Sequence, residues 1–148
     1  MSETGPHGGL TVRVTTSLKG VPAADWDTCA NPGAAAKLES TFQPADSFSQ
    51  EDPDNPFISH AFLRALEESG CVGGRTGWSP AYLLVEDGAG RLIAAAPSFV
   101  KAHSQGEYVF DHSWAEAYMR AGGRYYPKIQ VAAPFTPANG PRLLVAPR

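Results

Sequence analysis

The sequence PAYLLVEDGAGRLIAAAPSFVK, at residues 80–101, decides the fold. Its two arms, Pro80 to Glu86 and Arg91 to Lys101, are apolar at nearly every position, and Asp87-Gly88-Ala89-Gly90 separates them. Two apolar runs joined by a short loop with an Asp-Gly step predict a β-hairpin. Because polar residues are so rare in both arms, we expect this hairpin to lie in a sheet covered on both faces.

Further strands are predicted on either side of the hairpin. In residues 10–18, Val12 and Val14 alternate with polar residues, which is typical of a half-buried strand. Residues 125–135 form a second candidate strand, and residues 143–145 are a short extended or helix-entry fragment.

Three helices are predicted between these strands. Pro22 can begin a helix over 22–30, with Trp26 as its anchor in the core. Ser59 is a good N-cap for a helix that ends near Gly70, with Glu67 and Glu68 facing solvent. Either Asp111 or Ser113 can cap a third helix over 111–120. The order of elements indicates an α/β fold of the mixed α+β kind, a mixed sheet flanked by helices.

The chain of 148 residues is long enough for one domain with its own core, since 43% of its residues are apolar. We expect residues 1–9 to be a disordered leader and residues 31–54, rich in proline and acidic residues, to be a loop insertion in the region 10–148. The last residues follow a Pro/Gly-rich turn where such a fold would enter its next helix, so we expect a chain truncated at its C-terminus. Ile129, Val131 and Phe135 would then be exposed, and we expect the isolated chain to self-associate.

Composition excludes several classes of function. A net charge of −3 argues against a dedicated binder of nucleic acid or anionic membranes. No secretory signal and no run of about 20 apolar residues is found, so we expect a cytoplasmic protein without a membrane span. Cys29 and Cys71 match no zinc or redox spacing, the four histidines stand in unlike contexts, and we expect no metal site.

One polar and aromatic stretch, residues 101–118, is the first candidate site. Its carboxylates and imidazole, Glu107, Asp111 and His103, are candidate general acids or bases. Four neighbours could line the same cleft and bind substrate: Ser104, Tyr108, His112 and Trp114. The alternative is purely structural: Asp111 caps the helix, Trp114 fills the core and His103 lies in a surface loop.

The second candidate is residues 125–144, where a strand runs into a Gly-containing loop. Tyr126 and Lys128 extend the set of substrate-binding candidates. Thr136, Gly140 and Arg142 are candidates for holding a phosphate-bearing cofactor, because a strand–loop–helix turn directs backbone N–H groups toward phosphate. The alternative is an ordinary strand-to-helix turn.

Several long strings carry a family resemblance. They are NPFISHAFLRALEESG at 55–70, HSQGEYVFD at 103–111, GGRYYPKIQV at 122–131, PFTP at 134–137 and GPRL at 140–143. Over about residues 10–145 the chain closely resembles bacterial FemAB-like proteins, which are grouped with peptidoglycan-biosynthesis acyltransferases and the GNAT N-acyltransferase superfamily.

The resemblance implies a GNAT-like fold and transfer of an acyl or aminoacyl group to an amine, in cell-wall metabolism. It implies no tightly bound cofactor; acyl-CoA or aminoacyl-tRNA would be the donor, and a small molecule or cell-wall precursor the acceptor. Fem-type relatives carry two GNAT-like halves, so this chain would be the N-terminal portion, with a C-terminal half as partner. The alternative is a non-catalytic ligand-binding half that is inactive as an isolated fragment.

Overall fold

The computed structural model of the protein describes residues 9–33, 54–108 and 110–147. The described helices are α1 (Ala23–Ala30), α2 (His60–Glu68) and α3 (His112–Arg120). The described strands are β1 (Thr11–Thr15), β2 (Trp78–Pro80), β3 (Tyr82–Glu86), β4 (Leu92–Ala96), β5 (Ser98–Lys101), β6 (Lys128–Val131) and β7 (Leu144–Val145). The predicted α+β class is confirmed. The expected leader and insertion lie largely outside the described residues.

The strands form two sheets. The first has the order β1-β3-β4-β7 and the second the order β2-β5-β6. Every strand pair among the described residues is antiparallel. The short fragment near residue 144 is therefore a strand, which adds to β4 at one side of the first sheet.

The predicted hairpin exists, but it is bent between the two sheets. β3 pairs with β4 in the first sheet, and their continuations β2 and β5 pair in the second. The bend lies at Ala81 and Pro97, where the Ala81 N–H donates to the carbonyl of Ser98 at 2.9 Å. Proline has no N–H to give to a ladder, which explains the break in the second arm.

A row of aromatic rings joins the cores of the two sheets. The ring of Trp26 in α1 packs edge to face on Tyr82, with 5.8 Å between the ring centroids. The centroids of Tyr82 and Phe99 lie 5.5 Å apart. Phe99 in turn meets Trp78 at 5.5 Å. The Trp26 indole N–H donates to the carbonyl of Ile58 at 2.8 Å, whereas the buried Tyr82 hydroxyl has no hydrogen-bond partner among the described residues. Trp78 ends the row beside the candidate site.

In the described residues, burial in the first sheet differs from two expectations: that the hairpin is covered on both faces, and that β1 is half-buried. In β3, Tyr82 and Leu84 are fully buried against the helices, whereas Leu83 and Val85 are half-buried. β1 is an edge strand, and Val12 and Val14 are exposed rather than half-buried. The apolar alternation of β1 is real, but the helices do not extend over it.

Helix α2 begins as predicted. The Ser59 hydroxyl accepts from the Phe62 N–H at 3.2 Å, and Gly70 follows the helix with φ = +72°. The expectation for Glu67 was wrong, because its side chain is only 10% exposed. It accepts from the Ser17 hydroxyl at 2.6 Å and from the Leu18 N–H at 3.0 Å. Glu67 therefore ties α2 to the segment that follows β1.

The last predicted strand is shorter than expected. β6 covers only residues 128–131, and Phe135 lies in a turn with φ = +56°. The exposed fraction is 72% for Ile129 and 38% for Phe135, as predicted, whereas Val131 is half-buried and the prediction for it was wrong. No helix in the described part of the chain is long and apolar enough to cross a membrane.

Candidate functional site

The site starts from two lysines that face each other across β5 and β6. Lys101 and Lys128 are direct cross-strand partners, so their side chains project from the same face of the second sheet. Like charges in this position destabilise a sheet unless anions compensate them. The segment between β5 and α3 supplies those anions.

Glu107 and Asp111 bring two carboxylates to the lysines. Glu107 Oε2 lies 3.0 Å from the Lys128 ammonium and Oε1 lies 3.4 Å from that of Lys101. Asp111 Oδ2 accepts a short hydrogen bond from Lys128. These four residues, Lys101, Glu107, Asp111 and Lys128, form the lysine–carboxylate cluster. Its formal charges cancel, as a poorly hydrated site requires.

Lys101 is the most enclosed member of the cluster, with a side chain that is 0% exposed. Its ammonium donates to the carbonyl of Gln105 at 2.7 Å and lies 3.4 Å from the centre of the Trp78 ring. Burial lowers the pKa of Lys101, and the neighbouring Glu107 carboxylate offsets part of that effect. A cation–π contact and a carbonyl therefore replace its water shell.

Asp111 serves the cluster rather than the helix. It occupies the N-cap position of α3, yet its side chain makes no capping hydrogen bond. Instead Oδ2 accepts from the Tyr125 hydroxyl at 2.7 Å and from Lys128. Burial by itself would raise the pKa of Asp111, but the hydrogen bonds from Lys128 and Tyr125 hold this pKa well below its usual range. Asp111 therefore holds the predicted N-cap position, but its side chain does not make the capping hydrogen bond.

Ser104 and Tyr126 complete the polar network. The Ser104 and Tyr126 hydroxyl oxygens lie 2.6 Å apart, and Lys128 donates to the Ser104 oxygen at 3.1 Å. The Tyr125 hydroxyl donates a hydrogen bond to the Asp111 carboxylate, and this hydrogen bond raises the pKa of Tyr125. Two of the predicted substrate-binding residues thus help to hold Lys128 in place.

Beside the cluster lies a cavity of about 250 Å³. Glu107 lines it from one side and Gln130 of β6 from the sheet; its lining also includes Tyr108, Thr136, Asn139 and Arg142. Glu107 Oε1 and Gln130 Oε1 are both buried without a hydrogen-bond donor among the described residues. Two of the lining residues thus contain a buried acceptor without a hydrogen bond from the described residues, and Glu107 Oε1 has the Lys101 ammonium 3.4 Å away.

Comparison with known families matches residues 17–148 to the FemAB-like family, described as peptidoglycan biosynthesis/recognition. The chain belongs to the FemAB-like family. The comparison with curated proteins finds no significant match, and neither does the comparison with solved structures. The resemblance noted in the sequence is therefore confirmed at the level of the family.

In this FemAB-like chain, His103 lies outside the cluster. Its ring covers Gly77, where an added Cβ would come within 2.1 Å of Nε2, and its Nδ1 accepts from the Gln105 N–H at 3.2 Å. No described contact joins it to Glu107 or Asp111. The structure therefore brings together two of the three catalytic candidates.

The three cofactor candidates lie in the loop between β6 and β7. The Thr136 hydroxyl donates to the carbonyl of Pro134, and Arg142 donates to the carbonyls of Gly140 and Ala138. The chain after Gly140 leads into β7, so the expected strand-to-helix turn is wrong and no helix N-terminus lies there. Thr136 and Arg142 line the cavity, whereas Gly140 packs against Asn55.

Three of the aromatic candidates, Tyr108, His112 and Trp114, are exposed on the surface. Tyr108 is exposed and lines the cavity. His112 stacks on Phe110, and Trp114 is 74% exposed, so it does not fill the core. Neither His112 nor Trp114 lines the cavity.

Sequence reasoning missed Lys101, Tyr125 and Gln130. A usable signal was present for Lys101, because it stands two positions after the core residue Phe99 in a strand and must share its face. The same spacing relates Lys128 to Gln130. In the described part of the chain, no three metal-ligating side chains come together.

Proposed function

We propose that the cavity and the lysine–carboxylate cluster form the acceptor site of an N-acyltransferase that acts on an amine-bearing peptidoglycan precursor. One observation carries the proposal. Glu107 is a carboxylate with a 6% exposed side chain that lines a cavity; its Oε1 accepts no hydrogen bond from the described residues and has the Lys101 ammonium 3.4 Å away. Such an oxygen suits an amine, which needs an acceptor for its proton.

The reaction we propose is aminolysis of an activated acyl group. The amine nitrogen attacks the donor carbonyl carbon; a C–N bond forms, and the C–S bond of a thioester or the C–O bond of an aminoacyl ester breaks. Glu107 accepts the proton that the amine loses and returns it to the departing sulfur or oxygen. A positioned carboxylate of this kind contributes about 10²–10⁴ in rate.

Asp111 and Lys128 are positioning residues in this scheme. Asp111 is a poor base, since its hydrogen bonds with Lys128 and Tyr125 hold its pKa low. Lys128 is bound by both carboxylates, and their hydrogen bonds raise its pKa despite burial. It remains charged and fixes the orientation of Glu107.

The donor we propose is acyl-CoA or aminoacyl-tRNA, and this part rests on the family resemblance. The loop from Pro134 to Arg142 uses several of its own donors internally and offers no helix N-terminus. We therefore propose that the phosphate-bearing carrier lies outside the cavity.

A second candidate function is recognition without transfer. The cluster favours it in one respect: each carboxylate already has a lysine partner, which suits a rigid binding site. On this view the chain is a ligand-binding half that holds a cell-wall precursor for a catalytic half.

A transfer assay separates the two candidates. The chain, in its native protein, is incubated with each donor class and a peptidoglycan stem peptide that carries a free amine. Mass spectrometry should find an N-acylated product, and blocking the amine by acetylation should abolish it. Binding of the stem peptide without any product under all donors would favour recognition.

A further inference from the structure

The cavity carries two unlike sites. At the Glu107 end, two buried oxygens, Glu107 Oε1 and Gln130 Oε1, lack hydrogen-bond donors in the described residues. The Lys101 ammonium, which lies 3.4 Å from Glu107 Oε1, gives its short hydrogen bond to the Gln105 carbonyl instead. Leaving such acceptors unsatisfied costs about 1–3 kcal/mol each, and a ligand with N–H groups would recover that cost.

The other site is Arg142. Among the described residues, its guanidinium donates to two carbonyl oxygens of its own loop, at 2.9 Å to Gly140 and 3.2 Å to Ala138. No carboxylate pairs with it among the described residues. These carbonyls orient the side chain without neutralising its charge, so a cation faces the cavity and can bind an anion.

The volume limits the ligand to a small group. Sites for drug-sized ligands usually measure about 300–1,000 Å³, and this cavity of about 250 Å³ is smaller. It would admit one amino-acid unit rather than a folded peptide or a sugar chain.

We infer that the cavity binds the zwitterionic end of an amino acid, with its amino group at Glu107 and Gln130 and its carboxylate at Arg142. The inference rests on the proposed function, because it names the acceptor class of that same site. The acceptor amine then belongs to a carbon that also carries a carboxylate. A phosphate ligand would leave the two acceptor oxygens unsatisfied, and a simple amine would leave Arg142 unpaired.

A matched set of three probes tests the inference: norvaline, butylamine and pentanoate. Butylamine is norvaline without its carboxylate, and pentanoate is norvaline without its amino group. Titrations followed by NMR on the chain, with no acyl donor present, should show norvaline binding at least tenfold more tightly than either partner probe. Equal binding of butylamine and norvaline would overturn the assignment.

Two variants locate the two ends of the ligand. Glu107→Gln should weaken norvaline and butylamine at least tenfold and should not weaken pentanoate. Arg142→Gln should weaken norvaline and pentanoate and leave butylamine unchanged. Glu116→Gln and Arg120→Gln, on the exposed face of α3, are the controls. No loss of norvaline affinity in Arg142→Gln would also overturn the inference.

A further variant guards against misfolding. If Glu107→Gln does not fold, Gln130→Leu removes the second acceptor and leaves the lysine–carboxylate cluster unchanged. Gln130→Leu should lower the affinity for norvaline but not for pentanoate. Because these titrations contain no donor, they succeed or fail independently of catalysis. Selective norvaline binding without acyl transfer would reject the proposed function alone, and transfer without this selectivity would reject the zwitterion site alone.

Discussion

At the scale of single residues, the site depends on compensation of charges that the sheet forces together. Lys101 and Lys128 are opposed by strand register, and Glu107 touches both ammonium groups with one carboxylate. Its removal would leave two cations facing each other in a poorly hydrated place. Removal of one lysine would still leave Glu107 with the other.

This asymmetry gives a prediction for stability. Glu107→Leu should lower the free energy of unfolding by about 3–5 kcal/mol, because it leaves the buried Lys101 unpaired. Lys101→Met should cost clearly less, since methionine can pack on the Trp78 ring while Glu107 keeps Lys128. Urea denaturation measures both. An equal or larger loss for Lys101→Met would contradict the assigned pairing.

Asp111 offers a test that separates a network residue from a helix cap. Ser and Asn cap helices about as well as Asp, so Asp111→Ser and Asp111→Asn would be nearly neutral if the side chain capped α3. We expect both to cost about 2 kcal/mol at neutral pH, the usual value for a hydrogen bond with a charged partner.

The pH dependence of that loss has a defined sign. The pKa of Asp111 is lower in the folded protein than in the unfolded chain, where it is about 3.9. Its contribution is therefore complete above about pH 4 to 5 and disappears as the pH falls through the folded-state pKa. The difference in unfolding free energy between the wild type and Asp111→Asn should be constant near neutrality and shrink in acid. A difference that grows in acid would contradict this assignment.

At the scale of elements, the connection from β5 to α3 positions the carboxylates, and one glycine shapes it. Gly106 has φ = +77°, and a Cβ there would lie 2.6 Å from the Phe135 ring. The ring centroids of Phe135 and Trp78 lie 5.1 Å apart, and the Lys101 ammonium lies over the same Trp78 ring. The tight turn thus couples the loop to the end of the aromatic row.

Gly106→Ala and Gly90→Ala form a matched pair, because both glycines have φ = +77° and only Gly106 has close neighbours. Gly90→Ala should cost about 1 kcal/mol for its left-handed backbone. Gly106→Ala should cost about 1–3 kcal/mol more, because Phe135 must move. Thermal melts of the two variants give the comparison; equal losses would mean that the Phe135 contact is unimportant.

Elements with a strong local signal were predictable. The hairpin loop after Glu86, the Ser59 cap and the helix around Trp26 all appear where capping and periodicity place them. The bend at Ala81 and Pro97 was not predicted, since it depends on how two sheets share one ribbon. In the site, His103 was predicted from the chemistry of its side chain alone. The register of β5 and β6 instead places Lys101 opposite Lys128 in the cluster.

At the scale of the whole molecule, several apolar side chains remain on the surface of the described residues. Ile129 on the outer strand β6 is 72% exposed, and Leu143 and Val145 are similarly open. An outer strand with apolar side chains is a template for pairing with another chain. These features support the expectation that the isolated chain self-associates.

The variant Ile129→Lys tests that expectation, because a lysine on an outer strand opposes edge-to-edge pairing. Sedimentation velocity should show the wild type as an oligomer and Ile129→Lys as mostly monomer. Trp114→Lys, which replaces an exposed ring on α3 and changes no strand residue, should leave association unchanged. A monodisperse wild-type monomer would contradict the role given to β6.

The most direct test of the acceptor-site proposal is the rate of acyl transfer by Glu107→Gln, measured in the native protein beside Glu116→Gln as the control. Asparagine and glutamine side chains cannot accept the amine proton as a carboxylate does, so we predict a loss of kcat of about 10²–10⁴ for Glu107→Gln. The control should retain the wild-type rate. Near-wild-type turnover by a correctly folded Glu107→Gln would show that this carboxylate is not the base and would contradict the account.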